Sequence, residues 1–130
     1  MDYEIQFLTD GGPVDAAVTL YGPLTPAGFR ELTDALTADP RWRAGLTLLV
    51  DISALDVTAV SDDDLAVLAG PVVARDWDFP PRAVAIIAPD DERFRAAQSY
   101  RAHVGGSRSR RYVVRTRAEA LALLAGGHVE

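Results

Sequence analysis

Three side chains that could take part in chemistry, Asp51, Ser53 and Ser61, follow a single buried stretch of the chain. The apolar run before them does not alternate with polar residues, which predicts a central strand from Leu46 to Ile52 that is covered on both faces. Asp51 and Ser53 then lie at the carboxyl end of that strand, the edge where open α/β sheets bind ligands. Ser61 begins the next helix, where its hydroxyl could be phosphorylated or contact a partner. We therefore take these three residues as a candidate phosphorylation or partner site.

The same residues also have purely structural explanations. Ser61 and Asp64 have the S-x-x-D spacing of a capping box, and Asp51 could accept hydrogen bonds from the backbone of the following loop. Successive helical residues point about 100° apart, so the acids Asp62 to Asp64 do not converge on one cation. The pattern favours a helix cap over a regulatory serine and predicts no metal site.

A second candidate site is the arginine-rich segment from Gly105 to Arg111. Its glycines, hydroxyls and arginines suit an anion or an acidic partner, with Arg108, Arg110 and Arg111 as the contacts. The segment follows a helix and precedes a strand, which is not the order of a P-loop. The alternative is a loop whose arginines keep an edge strand from pairing with other chains.

Composition removes many kinds of site. All 13 basic residues are arginines and there is no cysteine, so Schiff-base lysines, P-loop lysines and thiolate ligands are excluded. His103 and His128 are far apart in the sequence, and no G-x-S-x-G or H-E-x-x-H motif occurs. Trp42 and Trp77 lie near loops, where each is predicted to be a packing lid. We expect a protein that is not an enzyme and has no cofactor.

The charge is divided unevenly along the chain. Residues 101–117 carry six arginines and no acid, whereas the remaining residues carry seven arginines and 19 acids, for a net charge of −6. An acidic body with one basic segment disfavours nucleic acid as a partner and allows an acidic protein or a small anion. No apolar run is long enough to span a membrane, and the start MDYE is unlike a signal peptide, so we expect a cytoplasmic protein.

The elements that must position these residues follow the order β-β-α-β-α-β-α-β-α in one domain of 130 residues. The predicted strands are Glu4–Thr9, Ala16–Gly22, Leu46–Ile52, Ala83–Ala88 and Tyr112–Val114. The first helix begins at Thr25-Pro26, the second has a kink or an early end near Gly70-Pro71, and the third runs to about His103 before Gly105-Gly106. Thr116 and Glu119 form a capping box for the last helix, with Leu121, Leu124 and Ala125 inward. The alternation predicts an α/β fold with a mostly parallel central sheet and covering helices.

This order resembles the STAS domain, and more closely the small bacterial SpoIIAA-like proteins, whose fold is also compared with the lipid-binding SEC14 domain. The resemblance rests on four segments: Gly22 to Thr25, Leu49 to Ser53, Ala83 to Pro89, and Ala118 to Leu121. In the anti-sigma-factor antagonists of that family, the functional serine follows an aspartate just before the second helix, within an Asp-Ser-Ser-Gly-like stretch. Only Ser61 matches that position here, without the preceding aspartate or the following glycine.

The resemblance implies a non-enzymatic regulatory or protein-interaction module, whose contact surface would be the edge near Asp51 and Ser61 together with the third helix. The alternative is a SEC14-like binder that encloses a small apolar or anionic ligand between the third helix and the sheet. An enzyme is a third hypothesis, which the missing catalytic residues disfavour. The ligand hypothesis requires a pocket beneath the third helix.

Overall fold

A five-stranded sheet in the order β1-β2-β3-β4-β5 is the framework of the chain. A computed structural model describes residues 1–76, 81–104 and 109–126, with the backbone alone for 73–76. Its elements are β1 (Asp2–Phe7), β2 (Ala16–Pro23), α1 (Pro26–Ala38), β3 (Thr47–Asp56), α2 (Asp62–Asp76), β4 (Ala83–Ile87), α3 (Asp91–His103), β5 (Arg110–Val114) and α4 (Arg117–Gly126). The predicted element order and α/β class are confirmed.

The sheet is antiparallel at one edge and parallel elsewhere. Strands β1 and β2 form the predicted antiparallel hairpin, and β2, β3, β4 and β5 pair in parallel. Strand β4 is buried at all five positions, because helices cover both of its faces. The strands β2 to β5 run in the same direction, so all of their amino ends lie along one side of the sheet and all of their carboxyl ends along the other. Side chains at the carboxyl ends are therefore close neighbours.

Three helices cover one face of the sheet and one helix covers the other. Leu48 and Ile52 of β3 pack in the larger apolar cluster, together with buried residues of α1, α2 and α3. Leu49 points to the opposite face, where it packs in a smaller cluster with Leu124 of α4. This alternation along β3 decides which helices each of its side chains can reach.

Strand β3 is longer than predicted and contains a β-bulge. It continues to Asp56 instead of ending at Ile52, so Ser53 lies within the strand. Thr19 pairs with Asp51 whereas Tyr21 pairs with Ala54, so β3 has one residue more than β2 between these pairs. Pairing with β4 ends at Asp51, but pairing with β2 holds the rest of the strand in place.

Helix α2 continues through Gly70 and Pro71 to Asp76, so of the two predicted alternatives, a kink or an early end, the early end was wrong. Proline at this position removes one hydrogen bond, the one that would reach the carbonyl of Val67. Val67 is 61% exposed, and water can bind that carbonyl instead. Because the carbonyl that loses its partner faces solvent, the helix tolerates proline at position 71.

The remaining boundaries differ from the predictions by a few residues. Strand β1 lies two residues earlier than predicted, and β5 begins at Arg110. Ala125 was predicted to face inward but is exposed, and Ala120 is buried in its place. Helix α3 ends at His103 as predicted; the proposed stop signal Gly105-Gly106, as well as Trp77 and His128, lie outside the described residues. Among the described helices, none combines the length and the hydropathy that crossing a membrane requires.

Candidate functional site

Ser61 caps helix α2 in a complete capping box. The backbone N–H of Asp64 donates to Ser61 Oγ at 3.1 Å, and the backbone N–H of Ser61 donates to Asp64 Oδ2 at 3.1 Å. Both residues thereby satisfy N–H groups that a helix start leaves without partners. The structural explanation of the S-x-x-D spacing is confirmed, and phosphorylation of Ser61 stays a prediction.

Asp51 and Ser53 form a local pair at the β-bulge. The backbone N–H and the hydroxyl of Ser53 both donate to Asp51 Oδ1, at 2.9 and 2.6 Å. Asp51 Oδ2 lies 3.9 Å from Arg117 Nη2 at the start of α4. Asp51 therefore faces the α4 side of the sheet, whereas Ser61 begins α2 on the other side. The three predicted residues do not converge on one site, because Asp51 on β3 faces α4, whereas Ser61 starts a helix that packs on the opposite face of the sheet.

Where the parallel strands end, the polar side chains are engaged in hydrogen bonds of turns and helix caps. Asp90 caps α3 and accepts from Arg93 Nη1 at 2.7 Å, while Arg93 Nε donates to the carbonyl of Leu55 at 2.7 Å. The side-chain hydrogen bond from Arg93 lowers the pKa of Asp90, and that from Thr58 lowers the pKa of Asp56. The ionised carboxylates of Asp56 and Asp90 are therefore engaged in hydrogen bonds within the protein.

The arginine-rich segment is only partly available to an anion. Arg110 is exposed at the start of β5, Arg111 is buried at 9% exposure, and Arg108 lies outside the described residues. Burial leaves little of Arg111 for an external anion or acidic partner to reach, and the contacts predicted for Arg108, Arg110 and Arg111 stay predictions. Because β5 begins two residues earlier than predicted, strand alternation turns Arg111 to the same face as Val113, toward the larger apolar cluster.

A cavity of about 140 Å³ lies between the sheet and the helices α1, α2 and α3. Its lining is dominated by leucine, valine and isoleucine, with Phe29 and Tyr100 in edge-to-face contact at 5.7 Å between ring centroids. Voids larger than a water molecule are few in natural protein interiors. A space of this kind beneath the third helix is what the ligand hypothesis requires. The aliphatic residues of the lining belong to segments far apart in the sequence. They are Val18, Leu20, Leu24, Leu32, Leu36, Leu48, Val50, Ile52, Leu55, Val57, Leu65, Leu68, Val72, Val84 and Ile86.

Among the described residues, polar side chains enter the cavity lining at few positions. Thr33 and Thr37 donate their hydroxyls to carbonyls of their own helix, those of Arg30 and Thr33. Arg111 is the one charged residue among the described residues of the lining. Trp42 also lines the cavity, and its buried Nε1 has no hydrogen-bond partner among the described residues. Trp42 was predicted to be a packing lid near a loop, and it does pack against the larger apolar cluster.

Metal ligands are not assembled at any of these places. Within the described ranges, no group of three or more histidine, aspartate or glutamate side chains could hold a metal ion.

Comparison with known proteins supports the fold. Neither the protein-family models nor the curated proteins provide a match to this sequence. Among solved structures, the chain is similar to an uncharacterized protein of the DUF3478 family with a SpoIIAA-like fold from Shewanella loihica PV-4. The two share 19% sequence identity with a TM-score of 0.58, over 95% of this chain and 92% of the other. The chain therefore has a SpoIIAA-like fold, as the sequence resemblance implied.

Proposed function

We propose that this protein is a non-enzymatic SpoIIAA-like module that binds a small, mainly apolar molecule in the cavity between the sheet and the helices α1, α2 and α3. The observation that carries this proposal is the cavity itself, with a volume of about 140 Å³ and an aliphatic lining. An engineered cavity of about 150 Å³ with a similar lining binds benzene, which sets the scale of the ligand.

The energetic cost of an empty cavity supports an occupant. An enclosed void left by deleting core atoms costs about 24 cal/mol per Å³, which sets an upper limit of about 3 kcal/mol for this partly open cavity. That is a large share of the roughly 5–15 kcal/mol by which a domain is stable. A bound apolar molecule restores the lost contacts and removes most of this cost.

The polar groups elsewhere support a binding role rather than catalysis. Asp51, Asp56 and Asp90 are engaged in turns and caps, and Ser61 is engaged in its capping box. A general base or nucleophile must reach a substrate atom, and these groups already serve the fold.

Benzene titration tests the proposal. Ala97 of α3 is buried and lines the cavity, so Ala97→Leu fills part of it. Ala102 is exposed on the same helix, so Ala102→Leu is the matched control. We expect benzene to raise the melting temperature of the wild type and of the control, with a much smaller effect on Ala97→Leu. A wild type that shows no saturable binding of benzene by calorimetry would overturn the proposal.

A regulatory protein contact is the second candidate function, favoured by the position of Ser61 at an exposed helix N-terminus. A phosphoryl group there would interact favourably with the helix dipole but would be repelled by Asp62, Asp63 and Asp64. Mass spectrometry of the protein isolated from its native cells tests this hypothesis on the peptide that contains Ser61. Partial phosphorylation supports a switch, and a peptide that is unmodified in every growth phase counts against it.

A further inference from the structure

The indole N–H of Trp42 is a hydrogen-bond donor that the fold leaves unused. Its Nε1 atom is buried and has no hydrogen-bond partner among the described residues. An indole N–H can only donate, and a buried donor without an acceptor is unfavourable. Buried polar atoms in proteins nearly always have a partner, so this exception requires an explanation.

The connection between α1 and β3 holds this indole at the cavity. The backbone N–H of Trp42 donates to the carbonyl of Asp39 at 2.9 Å, and the Asp39 carboxylate forms an ion pair with Arg41, also at 2.9 Å. Trp42 packs against the larger apolar cluster and lines the cavity together with Thr33 and Thr37 from the last turns of α1. The unused donor therefore belongs to the end of the cavity that is formed by the C-terminal part of α1.

Other polar side chains of the described lining are already engaged. Thr33 and Thr37 donate to carbonyls of their own helix, and Tyr100 and Arg111 also interact within the protein. A buried water molecule needs two to four polar partners, which a single N–H in an aliphatic lining does not provide. The acceptor for Trp42 Nε1 must then come from a ligand.

This single donor determines which kind of molecule fits. The aliphatic lining favours an apolar body around the acceptor. One neutral N–H does not offset the hydration that a carboxylate or a phosphate loses on entering an apolar site. An uncharged acceptor, such as a carbonyl oxygen, an ether oxygen or a heteroaromatic nitrogen, loses less hydration and matches one donor.

We infer that the cavity binds a small uncharged molecule with an apolar body and one hydrogen-bond acceptor, which receives the indole N–H of Trp42. The cavity volume of about 140 Å³ limits this molecule to about the size of one aromatic ring or a short alkyl chain. This inference rests on the proposed function and specifies its ligand class.

Calorimetry with benzene and pyridine at pH 8 tests the inference. The two rings have the same shape, and uncharged pyridine differs by one acceptor nitrogen. Trp42→Phe removes the N–H but also enlarges the cavity, so the informative quantity is the ratio of the pyridine dissociation constant to the benzene dissociation constant. We expect this ratio to rise at least about fivefold in Trp42→Phe, because the pyridine nitrogen would then be buried without a donor.

The matched control is Tyr21→Phe. It also removes a polar group from an aromatic side chain, but Tyr21 is 36% exposed and does not line the cavity. The affinities for both probes should stay unchanged in this variant.

Nuclear magnetic resonance of the indole N–H gives an independent measurement on the unaltered protein. The chain has two tryptophans, so two indole signals are expected, and the one that disappears in Trp42→Phe belongs to Trp42. Pyridine should move the Trp42 indole proton further downfield than benzene does, since the two rings differ only in the acceptor. If Trp42→Phe does not fold, sequential assignment identifies the signal and the spectra decide alone.

The outcomes separate this inference from the proposed function. If benzene binds and the ratio is the same in wild type and Trp42→Phe, the inference is overturned and the proposed function stands. Equal movement of the Trp42 signal with both probes, or a raised ratio in Tyr21→Phe as well, also overturns the inference. Failure of both probes to bind overturns the inference and the proposed function together.

Discussion

At the scale of single residues, short side chains in this protein mainly satisfy the backbone. Ser61 with Asp64 and Thr116 with Glu119 form two capping boxes, each with reciprocal hydrogen bonds. Such pairs are readable from sequence, because both partners lie within one helical turn. What a local pattern cannot reveal is a contact to a distant element.

Replacing Ser61 by alanine should lower the free energy of unfolding by about 1 kcal/mol, since the N–H of Asp64 loses its acceptor. Urea denaturation followed by circular dichroism measures the change. Ser61→Asn keeps an acceptor at the cap without adding a negative charge beside Asp62, Asp63 and Asp64, and should recover most of the loss. Equal stability of Ser61→Ala and the wild type would show that the cap contributes little.

Asp62 joins the start of α2 to α3 and should make stability depend on pH. Its carboxylate accepts from the Ser99 hydroxyl and lies 3.5 Å from His103 Nε2. The Ser99 hydrogen bond first, and the nearby His103 second, lower the pKa of Asp62. A lowered pKa in the folded state means that the carboxylate adds stability above its unfolded pKa of about 4, and that this contribution is lost as pH falls through the lower folded value.

The variant Asp62→Asn should therefore be less stable than the wild type near pH 7, with the difference shrinking as pH falls below about 4. Urea denaturation over a series of pH values measures it. Asp63→Asn removes the same charge from the same turn and serves as the control. If the stability difference between Asp62→Asn and the wild type stayed the same down to strongly acidic pH, the Asp62 carboxylate would not be its cause.

At the scale of elements, β3 and α2 show where local patterns fail. The apolar run predicted the start of β3, but β2 pairs with it as far as Asp56. Proline and glycine in α2 indicated an interruption, but the helix continues because it packs against α1 and α3. In both cases a tertiary partner extends an element beyond what its own sequence favours.

Glycine substitutions test this at two positions. A Cβ built on Gly70 meets nothing within 4 Å, so Gly70→Ala should raise the free energy of unfolding by about 1 kcal/mol through helix propensity. Gly22 has a φ of +77°, which disfavours any side chain, so Gly22→Ala should lower the free energy of unfolding by about 1 kcal/mol. Thermal denaturation of both variants measures the effects. Destabilisation by Gly70→Ala would indicate that α2 needs its glycine for some other purpose.

At the scale of the whole molecule, the cavity beneath α1, α2 and α3 should govern the response to pressure. Unfolding eliminates internal voids, so its volume change becomes more negative with a larger cavity. Ala97→Leu should make the volume change of unfolding less negative than in the wild type, and Ala102→Leu should not. High-pressure tryptophan fluorescence measures both. Equal values for wild type and Ala97→Leu would indicate that the cavity is already filled.

The residues alone were enough to predict the features that depend on neighbours along the chain: the order of the elements, the helix caps, the β1–β2 hairpin and the resemblance to a SpoIIAA-like fold. Each depends on periodicity or on pairs a few residues apart. Three features appear only in the folded chain: Asp51 is separated from Ser61, Arg111 is buried, and Trp42 lines the cavity. Those features depend on which face of a strand meets which helix and on how well distant side chains fill space, and neither is contained in a local pattern.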